Sequence, residues 1–289
     1  MKKLLILSGK GGTGKTTTAL AFINFGKIKA IADCDVDAPN LHIINKMNTE
    51  PIKSDFIGSK KASIDNSKCI GCKKCIEYCR FNAIENINGK MNIIDYACEG
   101  CGVCEYICPA NAISLKDDIA GEQSLYIDSN ENVFSTAKLK MGRGNSGKLV
   151  TNVKLAMLKN APDCDVAIID GSPGIGCPVI ASISGVDMVL VVAEPSLSGI
   201  SDLKRLIKSC KSFDTKIAIC VNKYDTSIEN TQKIIDFCKS NELNFVGTVP
   251  YDKNVSVAVN EGKSIVEYNC EATKALKNIY DKTMNVLLK

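Results

Sequence analysis

Lys3-Leu4-Leu5-Ile6-Leu7 runs straight into Ser8-Gly9-Lys10-Gly11-Gly12-Thr13-Gly14-Lys15-Thr16-Thr17 near the start of the 289-residue chain. A short apolar run bounded by glycines reads as a strand buried on both faces of a parallel sheet. Gly9 through Thr16 match G-x-x-x-x-G-K-T. In that pattern the glycines let successive backbone N–H groups turn inward on phosphate oxygens, and the helix that follows offers its positive N-terminus. The motif implies that Gly11, Gly12, Thr13, Gly14, Lys15, Thr16 and Thr17 hold the phosphates of ATP or ADP, with Lys15 reaching the β/γ-phosphates and Thr16 holding Mg²⁺.

Outward from this loop, further apolar runs recur: residues 31–41, 166–174, 188–196 and 216–223. Helix-length windows lie near 14–26, 147–160, 199–212 and 228–240. Strands alternating with helices predict an α/β fold, a parallel sheet covered on both faces.

A second pattern interrupts the first. Cys69, Cys72, Cys75 and Cys79, then Cys98, Cys101, Cys104 and Cys108-Pro109, form two consecutive C-x2-C-x2-C-x3-C runs. A zinc site has no use for a third cysteine at the same spacing plus a fourth. A disulfide framework fits poorly, because a glycine-rich loop stands where a signal peptide would have its apolar stretch and cleavage site. The spacing is that of two [4Fe-4S] clusters, in which the fourth cysteine of each run serves the other cluster. Cys69, Cys72, Cys75 and Cys108 are thereby assigned to one cluster, and Cys98, Cys101, Cys104 and Cys79 to the second. The runs CIGCKKCIEYCRFNAI and CEGCGVCEYICPANAI also resemble each other, as in the internally duplicated bacterial-type ferredoxins. They differ where Arg80 replaces the proline found at 109, a change expected to alter hydrogen bonding near the second cluster because proline removes a backbone donor.

Ile64-Asp65 and Ile113-Ser114-Leu115 read as closing strands, so an α+β insert is placed at 59–118 within a nucleotide-binding domain made of 1–58 and 119–289. Residues 119–146 include the glycine-rich 142–148, with no apolar strand recognised before it, and read as a connector.

The formal charge of +4, from 36 basic and 32 acidic side chains, is near balance and gives no argument for nucleic acid. No apolar run approaches the roughly 18 residues that cross a bilayer, so no membrane is expected. His42 is the only histidine, which excludes histidine-dependent triads. Abundant cysteine without a secretion signal points to a reducing cytoplasm. Cys34, Cys164, Cys177, Cys210, Cys220, Cys238 and Cys270 lack ligand spacing and read as small buried thiols.

Lys10-Gly11-Gly12-x-Gly14-Lys15-Thr16-Thr17 resembles the deviant Walker A motif of the MinD/Mrp/ParA family, which includes the nitrogenase iron protein. The resemblance implies that Lys10 crosses an ATP-sandwiched homodimer to the partner's nucleotide. It further implies that Asp35 orients the attacking water, with Asp33 and Asp37 as neighbours, and that Asp170 in Ile169-Asp170-Gly171-Ser172-Pro173-Gly174 holds the Mg²⁺ shell. Asn222 matches the purine-contacting asparagine, and Val249-Pro250-Tyr251 the base-pocket segment. The whole plan resembles MinD-superfamily ATPases containing an inserted ferredoxin domain. The expectation is an ATPase whose nucleotide state is coupled to electron transfer to a redox partner. The alternatives are an iron-sulfur scaffold or carrier, and a positioning ATPase. Ala272, Leu276, Ile279, Tyr280, Met284, Leu287 and Leu288 recur at helical spacing as a core stripe.

Overall fold

The computed structural model describes residues 1–45, 47 and 49–289. In chain order the elements are β1 (Lys2–Leu7), α1 (Lys15–Gly26), β2 (Ala30–Asp33), α2 (Leu41–Ile44), β3 (Ile52–Ile57), β4 (Lys61–Ile64), α3 (Lys74–Glu77) and β5 (Ile84–Ile87). There follow β6 (Lys90–Ile93), α4 (Val103–Tyr106), β7 (Ile113–Lys116), β8 (Ile119–Ile127), β9 (Val133–Leu139), α5 (Ser146–Asn160), β10 (Val166–Asp170) and α6 (Cys177–Ile183). The chain closes with β11 (Met188–Ala193), α7 (Leu197–Cys210), β12 (Lys216–Asn222), α8 (Ile228–Ser240), β13 (Asn244–Val249), α9 (Lys253–Asn260) and α10 (Glu271–Leu288). They divide into two compact units, one of Met1–Lys53, Gln123–Lys138 and Ser146–Lys289, the other of Ser54–Glu122 with Leu139–Asn145.

The first unit is built on a mostly parallel sheet whose strands run β13-β12-β11-β1-β10-β2-β9, followed by β8 and β3, along which the chain passes between units. Leu4, Leu5, Ile6 and Leu7 have no exposed surface, nor do Ile168 and Ile169 beside them. That is why these strands are apolar at every position: a parallel sheet covered by helices has two inside faces. Parallel register sets Ile6 against Asp170 and Asp170 against Asp33, so two carboxylates arrive together at the ends of their strands, beside the loop leaving β1. In such sheets this crevice outside the strand ends is where ligands bind. The expected stripe on α10 packs Ala272, Leu276, Ile279, Met284 and Leu287 into the core. Among the described residues no helix is long and apolar enough to cross a membrane.

Residues 119–146 are more than a connector. β9 pairs with β2 in parallel, Val133 against Ala30 through Thr136 against Asp33. Ser135, Thr136 and Lys138 interrupt the apolar run, so the strand carries no clear sequence signal although most of it is buried. The glycine-rich turn after it is pinned by Arg143, which forms ion pairs with Asp95 at 2.5 Å and Asp118 at 3.0 Å.

The second unit holds two short antiparallel ladders. β4 pairs with β7, Ile64 against Ile113, and β5 pairs with β6, Ile84 against Ile93. Its backbone repeats as its sequence does: φ is 70° at Gly71 and 64° at Gly100, 50° at Asn82 and 47° at Asn111. Asparagine tolerates this left-handed conformation better than most residues, which accounts for its place in both copies. Ala62, Ala83, Ile84, Met91 and Ile113 form a small core with the buried Cys75 and Cys98.

Candidate functional site

The loop after β1 is shaped by close approach. Gly14 starts α1 in the left-handed region, φ 92°, and a Cβ there would lie 2.2 Å from Asn222 Nδ2, so no other residue fits. The Lys15 ammonium, 6% exposed, lies 2.6 Å from Asp170 Oδ1 and 3.9 Å from Asp35 Oδ2. Thr16 Oγ1 donates to Asp170 Oδ2 at 2.7 Å. A hydroxyl and a carboxylate this close are hard oxygen donors of the kind Mg²⁺ takes. Thus Lys15 and Thr16, Asp35 and Asp170 converge on one spot from three segments of chain. Burial alone would lower the Lys15 pKa, but Asp170, with Asp35 and Asp33, raises it above the usual lysine range.

Asp33 completes the group. Its carboxylate accepts the backbone N–H groups of Asp35 at 3.0 Å and Leu41 at 3.1 Å, bridging the loop that carries Asp35. Burial and then the neighbouring Asp170 push its pKa up to about 7. Asp35 is likewise raised, by burial first, with Lys15 opposing. Asp37 is exposed and points to no such role.

On the other side of the loop, Lys10 lies against its own chain: Nζ is 3.0 Å from Glu194 Oε2 and donates to Ser196 Oγ at 3.1 Å and Ser198 Oγ at 3.3 Å. Asn222 donates Nδ2–H to Thr13 O at 2.8 Å while its Oδ1 accepts Lys223 N–H at 3.0 Å. Both polar ends of the amide are therefore engaged by backbone, and the side chain braces the phosphate loop. Lys223 Nζ adds a bond to Gly12 O at 3.1 Å. Pro250 follows β13, and the next N–H, that of Tyr251, donates to Asp225 Oδ1 at 2.8 Å.

In the second unit the eight cysteines line two cavities. Cys69, Cys72, Cys75 and Cys108 share one with Ile64, Ile70 and Pro109. Cys79, Cys98, Cys101 and Cys104 share the other with Phe81, Val103 and Leu115. The two cavities are equal in size, each about 350 Å³ of non-protein space counted together with the open solvent at its mouth. The fourth cysteine of each run lies with the first three of the other. Backbone N–H groups point at sulfur: Ala83 to Cys79 Sγ at 3.4 Å, Ala112 to Cys108 Sγ at 3.3 Å and Ala62 to Cys98 Sγ at 3.4 Å. The first two are equivalent, so Arg80 in place of proline leaves this bond intact. Among the described residues no three His, Cys, Asp or Glu side chains converge closely enough for a single metal ion. Burial pushes the Cys104 thiol up to about 11, so a thiolate there needs a compensating cation.

Residues 4–265 match the model of the CobQ/CobB/MinD/ParA nucleotide binding domain. The chain belongs to this family. An uncharacterised protein of Methanocaldococcus jannaschii is 31% identical over 286 residues, covering 97% of this chain and 95% of that one. A ferredoxin of Saccharopolyspora erythraea is 32% identical over 82 residues, 28% of this chain and 77% of that one. Among solved structures, the septum site-determining protein MinD of Pyrococcus horikoshii complexed with Mg-ADP superposes with a TM-score of 0.57 at 16% identity, covering 99% of this chain and 96% of that one. The fold is therefore that of MinD and ParA proteins.

Sequence reading did not find Glu194, Ser196, Ser198 or Lys223. Glu194 lies within the apolar run at 188–196, and its contact with Lys10 spans 184 residues of chain, which no local pattern encodes. Cys177 was expected to be buried, and it is exposed. It opens α6 behind a glycine-rich loop. Cys164 is partly exposed, whereas Cys34, Cys210, Cys220, Cys238 and Cys270 are buried as expected.

Proposed function

We propose that this chain binds and hydrolyses ATP, carries two [4Fe-4S] clusters, and couples nucleotide state to electron transfer with a partner protein. The observation that carries the cluster half is the sorting of eight cysteines into two sets of four, in the crossed pattern two cubanes require. Bound there, the clusters would supply one-electron storage and transfer. Backbone N–H donors from Ala62, Ala83 and Ala112 offset negative charge on the sulfurs.

Membership of a family that includes ATPases supports the nucleotide half. Phosphoryl transfer asks the protein mainly for positioning and charge. With nucleotide bound, Lys15 would turn from Asp170 to the β/γ-phosphates, Asp170 and Thr16 would hold Mg²⁺, which would neutralise phosphate charge, and Asp35 would orient water. Lys10 leaves Glu194 to reach the nucleotide of a second copy in an ATP-dependent homodimer.

Coupling is supported by connectivity. The chain that carries Asp35 continues through α2 before it enters the second unit at Ser54. Leu139–Asn145, also in that unit, leads directly into α5. At the head of α5 a Cβ on Gly147 would lie 3.3 Å from Cys177 O, immediately behind the glycine loop that follows Asp170. The joint at α5 thus adjoins a loop that would respond to a γ-phosphate, and linkage between the two states is reciprocal. A positioning ATPase is the second reading, favoured by the MinD-like fold, but it gives the eight cysteines no work.

ATPase rates of the anaerobic protein, oxidised and dithionite-reduced, test the proposal. Rates that differ with cluster state are expected. Equal rates would leave a MinD-like ATPase with an unconnected cysteine unit.

A further inference from the structure

The two cysteine runs align without gaps, so each half serves as a control for the other: Ile70 corresponds to Glu99, Lys73 to Gly102 and Lys74 to Val103. Lys73 and Lys74 are the charged residues lining the cavity of Cys69, Cys72, Cys75 and Cys108. Glu99 is the charged residue lining the other. Both lysines are exposed, and among the described residues neither side chain has an ion pair or hydrogen bond. Lys68 is held by Asp65 at 3.6 Å, and Glu77 pairs with neither lysine. Arg80 lines neither cavity.

The backbone adds a second observation. Lys73 has φ 61°, the left-handed conformation that Gly102 adopts at φ 81° in the other half. A side chain in that region costs about 1 kcal/mol that glycine avoids. Lysine at this position is therefore disfavoured by the backbone, and its charge is what distinguishes it from its twin. Beside it Ile70 is 69% exposed, and Cys72 is an exposed residue as well. An apolar residue flanked by unpaired cations, next to an exposed ligand sulfur, suits a small transient contact steered by charge.

Resting on the reading of the cavities as cluster sites, we propose that the face formed by Ile70, Lys73 and Lys74 docks a small one-electron carrier protein with an acidic surface. The cluster behind that face then exchanges electrons with the carrier. In the direction tested below, one electron leaves the reduced carrier, which is oxidised, and enters the cluster, which is reduced, with no bond made or broken. The other cavity has Glu99, Gly102 and Val103 where this face has Ile70, Lys73 and Lys74, so the two ends of the unit are not equivalent in charge.

The probe is flavodoxin, an acidic carrier, with the anaerobic full-length protein. Carbodiimide joins carboxylates to amines in direct contact, and mass spectrometry locates the joined peptides; stopped-flow absorbance gives the rate of electron exchange from reduced flavodoxin. Crosslinks at Lys73 or Lys74 are expected. The double variant Lys73→Gln/Lys74→Gln should exchange roughly tenfold more slowly at about 0.01 M salt, and near the parent rate at about 1 M, where charge is screened. Glu99→Gln should not lower the rate. Crosslinks elsewhere, or a double variant as fast as the parent at low salt, overturn the docking face. Crosslinking does not need iron: a chain crosslinked at Lys73 but devoid of iron refutes the cluster reading alone, and a fully loaded chain without that crosslink refutes the docking face alone.

Discussion

Replacing Asp33 with asparagine should change how the protein's stability responds to pH. Asp33 is fully buried and, through burial and its proximity to Asp170, its carboxyl titrates near about 7 rather than at the ordinary 3.8. The folded chain therefore holds this proton more tightly than the unfolded chain. The contribution is fully present below pH 3.8 and is lost as pH rises through about 7. At about 1.36 kcal/mol per unit, the interval from pH 5 to 7 alone removes about 3 kcal/mol. Asparagine does not titrate. It gives up one of the two acceptors now serving Asp35 N–H and Leu41 N–H, a penalty of about 1–3 kcal/mol at every pH. Relative to the parent, Asp33→Asn should thus gain about 3 kcal/mol between pH 5 and 8. The chain has no tryptophan, so urea unfolding of anaerobic samples is best followed by far-UV circular dichroism. Stability curves for parent and variant that run parallel over this range would refute the reasoning.

Asp170→Asn leaves the buried Lys15 ammonium with only Asp35, 3.9 Å away, and Asp33 for compensation, and should destabilise the fold by about 3 kcal/mol. Lys15→Met/Asp170→Leu should recover much of that in the same unfolding assay; no recovery would argue against the pair as the cause. Cys79→Ser and Cys108→Ser should each reduce iron from about eight to about four per chain, with different electron paramagnetic resonance signals surviving. Loss of the same signal in both would contradict the crossed assignment. Lys154→Met removes an ammonium that donates to Ala181 O, Ser182 O and Ser184 O at 2.9, 2.7 and 2.6 Å, closing the end of α6, and should lower stability by about 2–3 kcal/mol in urea.

What could be read in the sequence was whatever spacing along the chain encodes. The phosphate loop, Asp170 at a strand end and the cysteine pairing are local patterns, and the helices at 147–160, 199–212 and 228–240 lie within two residues of α5, α7 and α8. The remainder depends on contacts between distant segments. Arg143 places 139–145 in the second unit through Asp95 and Asp118, so that unit is wider than the 59–118 expected. β9 is an interior strand, but Ser135, Thr136 and Lys138 break its apolar run, so no hydrophobic periodicity marks it in the sequence. Lys10 was recognisable from its motif, but its Glu194 partner was not, because a strand-end acid has no signature of its own.

The central claim is that one chain joins a nucleotide site to two clusters so that each senses the other. Its most direct test is a redox titration of the anaerobic protein, monitored by electron paramagnetic resonance, with and without Mg-ATP. Two [4Fe-4S] signals whose midpoint potentials move on adding Mg-ATP are expected. Absent signals, or superimposable titrations, would contradict it.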